Sequence, residues 1–283
     1  VMTDELKQLY DEMQRLMEEM NKDEMQEQID DLNMTNEDLE KELDRALEQF
    51  KQLEWEQKME ETISELKELS KEQEALAKEA EKKDADSEKI KEEQEKLNEK
   101  FDEIKKDLED LEKKNEELEN PNQTPDTKEQ EEQIEKDMKE SSEQLEKKKN
   151  QKASDSQKKA AEKMDDMAQK MEQSMQSNSA EKQEEDMEAL RALLENIITL
   201  SFDQELLMAD FKAIDKNDPK YVQYGQVQRK LKDDSKMVED SLFALSKRVA
   251  QISGIVNREI GLVNDHMSDA LDGIGERQTP EVT

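Results

Sequence analysis

Residues 90–118 read IKEEQEKLNEKFDEIKKDLEDLEKKNEEL, and one narrow stripe of mostly apolar side chains recurs through them at alternating steps of four and three residues. The stripe consists of Ile90, Gln94, Leu97, Phe101, Ile104, Leu108, Leu111, Asn115 and Leu118. Such steps place side chains on one edge of an α-helix, and a narrow apolar edge is buried by packing against another helix. The stretch therefore predicts a helix of a coiled coil.

The same spacing covers most of the chain and predicts an all-α protein. Helices are predicted over about 4–82, 88–119 and 127–176. The alternative for the first is a break near Asn33 to Asn36, where the stripe slips in phase, and the third has a weaker middle at residues 147–156. The first helix would match the combined length of the other two, since each residue adds about 1.5 Å. We therefore predict that residues 1–176 form a long antiparallel coiled-coil rod.

Polar residues and prolines are predicted to set the ends and the register of these helices. Ser87 is the predicted N-cap of the second helix, because its hydroxyl can accept a hydrogen bond from a free N–H group. Pro121 and Pro125 end that helix, since each excludes the helical conformation from the residue before it. Asn115 lies in the buried stripe, where a polar side chain can fix the register. The stripe allows pairing within one chain or between two.

The C-terminal part of the chain predicts a compact helical bundle over residues 181–275. All five glycines lie in this part, and broader apolar faces replace the narrow stripe. We expect the helix before it to end at residues 177–180, a new helix to stop before Pro219, and an uninterrupted helix to start at about Lys220. Residues 276–283 are predicted to be a disordered tail.

Charge and composition exclude several classes of partner. Of the 283 residues, 43% are charged, and the formal net charge is -34 at pH 7. We expect no nucleic acid partner, because such binding depends on Lys and Arg that neutralise phosphates. The same charge disfavours an anionic membrane surface, and direct insertion into a bilayer would need a run of about 18 apolar residues that the sequence lacks. The absence of cysteine excludes disulfides and cysteine metal sites, and leaves the redox compartment open.

No catalytic residue, cofactor or metal ligand is predicted. His266 is the single histidine, so catalytic triads and multi-histidine zinc sites cannot be completed, and we expect it on a helix surface. The many Asp and Glu pairs at helical spacing are expected to form solvated faces. Residues 215–218, Asp-Lys-Asn-Asp, have the acidity of a calcium loop, but Pro219 follows where further ligands are needed.

Four methionines on one helical edge have two interpretations. Met164, Met167, Met171 and Met175 either fill an irregular seam between helices or line a groove of flexible thioethers. We favour the seam, because the spacing is that of an ordinary coiled-coil edge. The interpretations differ in one observable property: a seam buries Met164 and Met171, and a groove that holds clients exposes them.

A candidate partner-binding patch lies in the C-terminal part. Phe202, Leu206 and Met208 fall outside the main apolar face of their helix, and Tyr221 and Tyr224 follow closely in sequence. Apolar and aromatic side chains that stay exposed after a helix packs are typical of protein interfaces. The alternative is that these five side chains pack inside the C-terminal bundle.

Three stretches resemble a known group of proteins. They read LEQFKQLEW at residues 47–55, SFDQE at residues 201–205 and DSLFALSKR at residues 240–248. Together they resemble the C-terminal coiled-coil half of large, membrane-anchored bacterial proteins of unknown function. The resemblance implies transmembrane helices N-terminal to this segment and a periplasmic location, and the alternative is a soluble cytoplasmic protein. That family has no established catalytic residues, so it implies none here.

The sequence favours a non-enzymatic structural or interaction module. We expect a helical stalk or docking arm in a larger envelope-associated bacterial assembly, with protein partners and with self-association through the same stripe as an option. The main alternative is a chaperone-like helical clamp that holds client proteins. A filament-forming coiled coil is disfavoured by the negative charge, and an enzyme is the most remote hypothesis.

Overall fold

The computed structural model describes residues 36–252 and 254–277. Within these residues every regular element is an α-helix, which confirms the predicted all-α class. The helices are α1 (Asn36–Ala80), α2 (Ser87–Glu116), α3 (Lys128–Glu146), α4 (Asn150–Lys212), α5 (Lys220–Ser246) and α6 (Gly254–Gly275). The part of the first predicted helix that precedes residue 36, and the part of the predicted tail beyond residue 277, lie outside the described residues. No described helix combines the length and the apolar character that spanning a membrane requires.

The N-cap of α2 is Asp86, so the prediction of Ser87 was wrong by one residue. The Asp86 carboxylate accepts hydrogen bonds from the N–H groups of Glu88 (3.1 Å) and Lys89 (3.5 Å). A carboxylate caps as well as a hydroxyl and also interacts favourably with the positive end of the helix dipole. The Ser87 hydroxyl instead donates a hydrogen bond to the side chain of Asn150 at 2.7 Å.

The predicted helix over residues 127–176 is divided into α3 and α4, and the break falls in the weak stretch of 147–156. Lys148 adopts a φ of 52°, the left-handed conformation that ends many helices. The N–H groups of Lys148 and Lys149 bond to the carbonyl oxygens of Leu145 (2.9 Å) and Gln144 (2.8 Å). These bonds satisfy the last turn of α3, and the chain reverses into α4.

The predicted end of a helix at residues 177–180 was also wrong, because α4 continues to Lys212. Ser and Asn are weak helix formers, but they do not remove a backbone hydrogen bond as proline does. Asn178 is buried and donates a hydrogen bond to the carbonyl oxygen of Gln123 at 2.6 Å. This tertiary contact favours the helical conformation where local propensity is low.

The predicted uninterrupted helix from Lys220 is divided into α5 and α6, which form an antiparallel hairpin. Asn264 on α6 donates to Glu239 on α5 at 2.6 Å, and Asn257 donates to the Ser246 hydroxyl at 2.9 Å. Both helices contribute to the same buried clusters. One periodic stripe is therefore shared by two helices, and the period alone does not reveal the turn between them.

The described residues form two compact units. Lys51–Lys182 form the four-helix unit, with parts of α1 and α4 and the whole of α2 and α3. The terminal unit contains residues 36–50, 183–252 and 254–277. Its division from the four-helix unit on α4 is close to the predicted start of the C-terminal bundle at residue 181. Residues 36–50, which the periodicity assigned to the rod, belong to the terminal unit.

The helices of the four-helix unit pack antiparallel to their neighbours. Where two ion pairs connect the same two helices, the one with the higher residue number on the first helix has the lower residue number on the second. The ion pairs are Lys58–Asp107 and Lys100–Glu72 between α1 and α2, Lys91–Glu146 and Lys105–Glu135 between α2 and α3, Lys163–Asp137 between α3 and α4, and Lys67–Glu172 between α4 and α1. Each helix is thus paired with two others, as in an up-down-up-down bundle.

A layer of buried polar side chains, three amides and one hydroxyl, lies inside the four-helix unit, with one residue from each helix. Gln73 and Gln94 exchange two hydrogen bonds of 2.7 and 2.9 Å. The Gln94 amide oxygen also accepts from Gln157 at 2.9 Å and from the Ser141 hydroxyl at 3.2 Å. All four residues are fully buried. Because these partners meet in one alignment of the helices, the layer favours that alignment over a shifted one.

The methionine edge of α4 is part of the core. Met164, Met167 and Met171 are buried among the apolar side chains of the four-helix unit, and Met175 packs against them partly buried. This is the packing that the seam interpretation requires. A client-holding groove would have to expose Met164 and Met171.

The buried amide of Asn115 holds the loop after α2. Its Nδ2 donates to the carbonyl oxygen of Asn122 at 2.8 Å, and its Oδ1 accepts from the N–H of Asn122 at 2.7 Å. Asn122 in turn accepts a hydrogen bond from Lys182 on α4 at 2.6 Å. The role of Asn115 in this conformation is therefore local, and it orders the proline-containing loop.

In the terminal unit, α5 packs against three other segments. Gln204 on α4 and Gln228 on α5 exchange hydrogen bonds of 2.9 and 3.0 Å, and Arg248, two residues after the end of α5, pairs with Asp186 on α4. Residue numbers that fall along α4 are thus paired with numbers that rise along α5 and the turn after it, so the two helices are antiparallel. Residues 36–50 run alongside α5, where Gln49 donates to the carbonyl oxygen of Ser246 at 2.8 Å.

Candidate protein-docking surface

The orientation of α4 in the terminal unit is fixed by its buried face. Leu193, Leu200, Leu207 and Phe211 follow at steps of seven, seven and four residues, and all four are buried in the two apolar clusters of the unit. Phe211 packs edge-on against the rings of Tyr221 and Tyr224 at 5.3 and 5.5 Å. With this face buried, the opposite face of α4 points to solvent.

That opposite face carries a row of large apolar side chains, which we name the α4 ridge. It consists of Leu194, Ile198, Phe202 and Leu206, whose relative exposures are 52, 53, 62 and 66%. Met187, seven residues before Leu194 and on the same side of α4, is 58% exposed. Residues four apart are adjacent on a helix surface, so the side chains form one continuous ridge. Contiguous exposed apolar surface of this kind marks interaction sites.

Exposed apolar side chains are concentrated in the terminal unit. Of the thirteen large hydrophobic residues that are exposed in the described part, only Leu53 belongs to the four-helix unit. The others outside α4 are Val222, Val227 and Met237 on α5, and Ile255, Val256, Leu262 and Val263 on α6. None of these forms a row with successive steps of four residues. The α4 ridge is therefore the strongest candidate for a docking surface.

Acidic side chains accompany the ridge. Residues 183–212 contain eight Asp and Glu against one Arg and one Lys. Glu188, Glu195 and Glu205 are exposed, and they form no ion pair within the described part of the chain. Arg191 is the one cation between Met187 and Leu206. The ridge thus combines apolar contact area with a negative potential.

The structure separates the five residues of the predicted patch. Phe202 and Leu206 are exposed and lie on the α4 ridge, whereas Met208 is half-buried. Tyr221 is buried and Tyr224 is half-buried, because both rings pack against Phe211. For the tyrosines the alternative of internal packing is the correct one. Leu194 and Ile198 extend the patch toward the N-terminus of α4. Their spacing of four residues from each other and from Phe202 is the sequence pattern that could have identified them.

A cavity of about 370 Å³ lies between α4 and α5, on a different side of α4 from the ridge. Its charged residues are Asp203 and Asp234, and its apolar part consists of Leu193, Leu200, Leu231, Met237 and Val238. A lining with carboxylates and without a cation disfavours phosphate or carboxylate ligands. The cavity is therefore a weaker candidate site than the ridge.

The described residues offer no metal-binding arrangement: no group of three or more His, Asp and Glu side chains is placed to hold an ion there. In the stretch with the acidity of a calcium loop, Asp215 accepts a hydrogen bond from the N–H of Asn217 at 3.0 Å, and Asp218 accepts from the N–H of Lys220 at 2.8 Å. These carboxylates stabilise the turn before α5. His266 is exposed on α6.

One carboxyl has an electrostatic property that an acid catalyst can have. Partial desolvation, together with the nearby charge of Asp107, raises the pKa of Glu65. However, Glu65 lies on an exposed face of α1, and Lys58 on the same helix donates a hydrogen bond to Asp107 at 2.6 Å. Catalysis needs an acid directed at a bound substrate, usually in a cleft, so this shift by itself indicates no active site.

Glu239 connects three segments of the terminal unit. Its carboxylate accepts hydrogen bonds from Lys41 of α1 at 2.9 Å, from Lys236 of α5 at 3.1 Å and from Asn264 of α6 at 2.6 Å. Burial of the Glu239 carboxyl raises its pKa, but the hydrogen bonds from Lys41 and Lys236 outweigh burial and hold the pKa below its ordinary value of 4.5. The charged form is therefore stabilised by folding.

Replacing Glu239 by Gln is expected to lower the free energy of unfolding by about 1.5–3 kcal/mol at neutral pH, the typical value of hydrogen bonds to a charged group. A lowered folded pKa contributes stability above pH 4.5, and this contribution is lost as the pH falls through the folded pKa. The difference between wild type and Glu239→Gln should therefore shrink below about pH 4.5. Urea unfolding from pH 3 to pH 7 at constant ionic strength, followed by circular dichroism, measures it.

The matched control is Glu188→Gln, which removes the same charge from an exposed position in the same unit. The chain carries a net charge of -34, so protonation of its carboxylates at low pH also reduces the general repulsion between them. Comparison with the control corrects for this effect. A stability difference that stays constant across this pH range, or equals that of the control, would contradict the role assigned to Glu239.

Comparison of the chain with protein-family models, with curated proteins and with solved structures gave no match.

Proposed function

We propose that the chain is a non-enzymatic helical docking module, and that the α4 ridge binds a separate partner protein. The observation that carries the proposal is the ridge itself: four large apolar side chains in steps of four, each more than half exposed, on a helix whose other face is fixed in a core. Exposing such a row costs solvation free energy, and a partner that covers it recovers that free energy.

The proposal also includes the cellular location of this module and the kind of assembly it belongs to. The resemblance of residues 47–55, 201–205 and 240–248 supports a role as a docking arm in a larger envelope-associated bacterial assembly, in the periplasm. A chaperone-like clamp is less well supported, because Met164 and Met171, the side chains that it would use, are buried in the four-helix unit.

A site-specific photocrosslinker tests the proposal in the cells that make the protein. A benzophenone amino acid at Ile198 on the ridge is expected to give a discrete adduct, because this side chain is 53% exposed at the centre of the row. The same group at Gln176, an exposed position of α4 in the four-helix unit, is the matched control.

The adduct at position 198 should disappear when Phe202 and Leu206 are both replaced by Asp in the same chain. Their exposures of 62 and 66% make these replacements tolerable for folding, which circular dichroism would verify. Equal crosslinking at positions 198 and 176, or an adduct that survives the double replacement, would refute docking at the ridge.

A further inference from the structure

We infer that the partner segment at the α4 ridge is a basic amphipathic helix, which crosses α4 at a steep angle; this inference rests on the proposed docking function. The row Leu194, Ile198, Phe202 and Leu206 is an i, i+4 ridge. Such ridges interdigitate with those of another helix at about -50°. The row extends over twelve helical steps from Leu194 to Leu206, or about 18 Å, so the contact takes about three turns of a partner helix.

The ridge fits a helical partner better than an extended one. An added strand gains its affinity from backbone hydrogen bonds to a sheet edge, and all regular structure in the described residues is helical. The backbone N–H and C=O groups within α4 are already bonded to each other. Only side chains remain for contact, and a second helix presents a complementary ridge of side chains.

Charge determines the kind of helix. Glu188, Glu195 and Glu205 stand exposed around the ridge without an ion pair among the described residues. A partner with Lys or Arg beside its apolar row would neutralise these carboxylates, speed its own encounter with the ridge and gain specificity. The partner sequence is therefore expected to place apolar residues three and four apart, with cations between them.

The same charges disfavour two other occupants. A second copy of the chain would bring another acidic face and a net charge of -34 to the first. Residues 4–32 of the same chain, which carry an amphipathic stripe, contain eleven Asp and Glu against three Lys and Arg. Like charges placed close together cost several kcal/mol. A basic helix from a different protein carries the opposite charge.

The test uses the full chain and three labelled synthetic peptides of eighteen residues. The first consists of Leu and Lys, with the leucines three and four residues apart; the second replaces each Lys by Glu, and the third has the composition of the first in an order without helical period. Fluorescence anisotropy measures their affinities. We expect the first to bind at least tenfold more tightly than either of the others, and to bind less tightly as salt is raised.

Variants locate the binding site. Two double variants should each lower the affinity for the first peptide at least tenfold: Phe202→Asp with Leu206→Asp, and the milder pair Phe202→Ser with Leu206→Ser. Met237→Asp is the matched control, because Met237 is a 63% exposed apolar residue on α5, and it should change affinity less than threefold. Glu195→Gln with Glu205→Gln should weaken binding about threefold to tenfold and reduce its dependence on salt.

Three results would overturn the inference. The first is equal binding of the periodic and aperiodic peptides, which would indicate attraction by charge alone. The second is stronger binding of the peptide to a full chain with Leu9→Ser and Leu16→Ser, which would identify residues 4–32 as the occupant. The third is a dimer in sedimentation equilibrium that is lost with Phe202→Ser and Leu206→Ser, which would identify a second copy.

The failure of this inference is distinguishable from the failure of the docking function. A photocrosslinked adduct at Ile198 whose partner segment is acidic or non-helical would leave docking intact and refute the basic helix. The absence of any adduct specific to position 198 would refute both.

Discussion

Replacing Gln94 by Leu is expected to lower the free energy of unfolding of the four-helix unit by about 3–5 kcal/mol. The Gln94 amide oxygen accepts hydrogen bonds from Gln73, Gln157 and Ser141, and its Nε2 donates to Gln73 and Asn98. Leucine is close to glutamine in size but satisfies none of these groups. Each buried polar group that loses its partner costs about 1–3 kcal/mol.

Urea unfolding followed by the fluorescence of Trp55 measures this effect, because Trp55 is the single tryptophan and lies in the same unit. The control is Gln176→Leu, a change of the same chemistry at an exposed position of α4, which should stay within about 0.5 kcal/mol of wild type. A loss below 1 kcal/mol for Gln94→Leu would show that the layer relaxes and satisfies its remaining groups in another way.

Replacing the whole layer by apolar residues should have a different effect from replacing Gln94 alone. With Leu at positions 73, 94 and 157 and Ala at position 141, no polar side chain of the layer itself is left without a partner. Asn98 loses its hydrogen bond from Gln94, but it is only half-buried and can bond to water instead. Stability should then be restored to the wild-type value or above it, while the preference for one alignment of the helices is weakened. This contrast separates the free energy of single contacts from the specificity that the layer provides.

Replacing Trp55 by Ala is expected to destabilise the four-helix unit by about 3–5 kcal/mol, the usual cost of removing a buried aromatic side chain. Trp55 is only 1% exposed and is the largest of the fully buried side chains of the described residues. Phenylalanine at this position should cost much less, because it retains most of the apolar contact and removes the indole N–H, which has no hydrogen-bond partner within the described residues.

Circular dichroism during urea unfolding measures both Trp55 variants, since neither retains tryptophan fluorescence. Leu53→Ala is the control, because Leu53 lies on the same helix but is 48% exposed, and we expect it to cost less than about 1 kcal/mol. Equal effects of Trp55→Ala and Leu53→Ala would contradict the position of Trp55 in the core.

The positions of the apolar stripes could be read from the sequence because helical periodicity is a local property. Every apolar residue of the stretch 90–118 is buried or packs against the core of the four-helix unit. Phe202 and Leu206 could likewise be placed outside the buried face of their helix from spacing alone. A residue at a given phase of a helix points in a given direction whatever its surroundings.

Chain reversals were harder to predict than helices. Lys148 begins a reversal without glycine or proline, and α4 continues through residues 177–180 because Asn178 gains a tertiary hydrogen bond. In both places the local preferences are weak and of similar size. A contact from a residue that is distant in sequence, such as Gln123, then decides between helix and turn.

The sequence by itself determined the all-α class, the buried face of each helix and the acidity of the whole surface, because these depend on period and composition. Only the tertiary structure decided which polar residues meet and which apolar residues remain uncovered. Gln73, Gln94, Ser141 and Gln157 are separated by up to 84 positions and meet in one layer. Tyr221 is covered by Phe211, whereas Leu194 to Leu206 face solvent, because exposure depends on which helices pack together and not on the period of one.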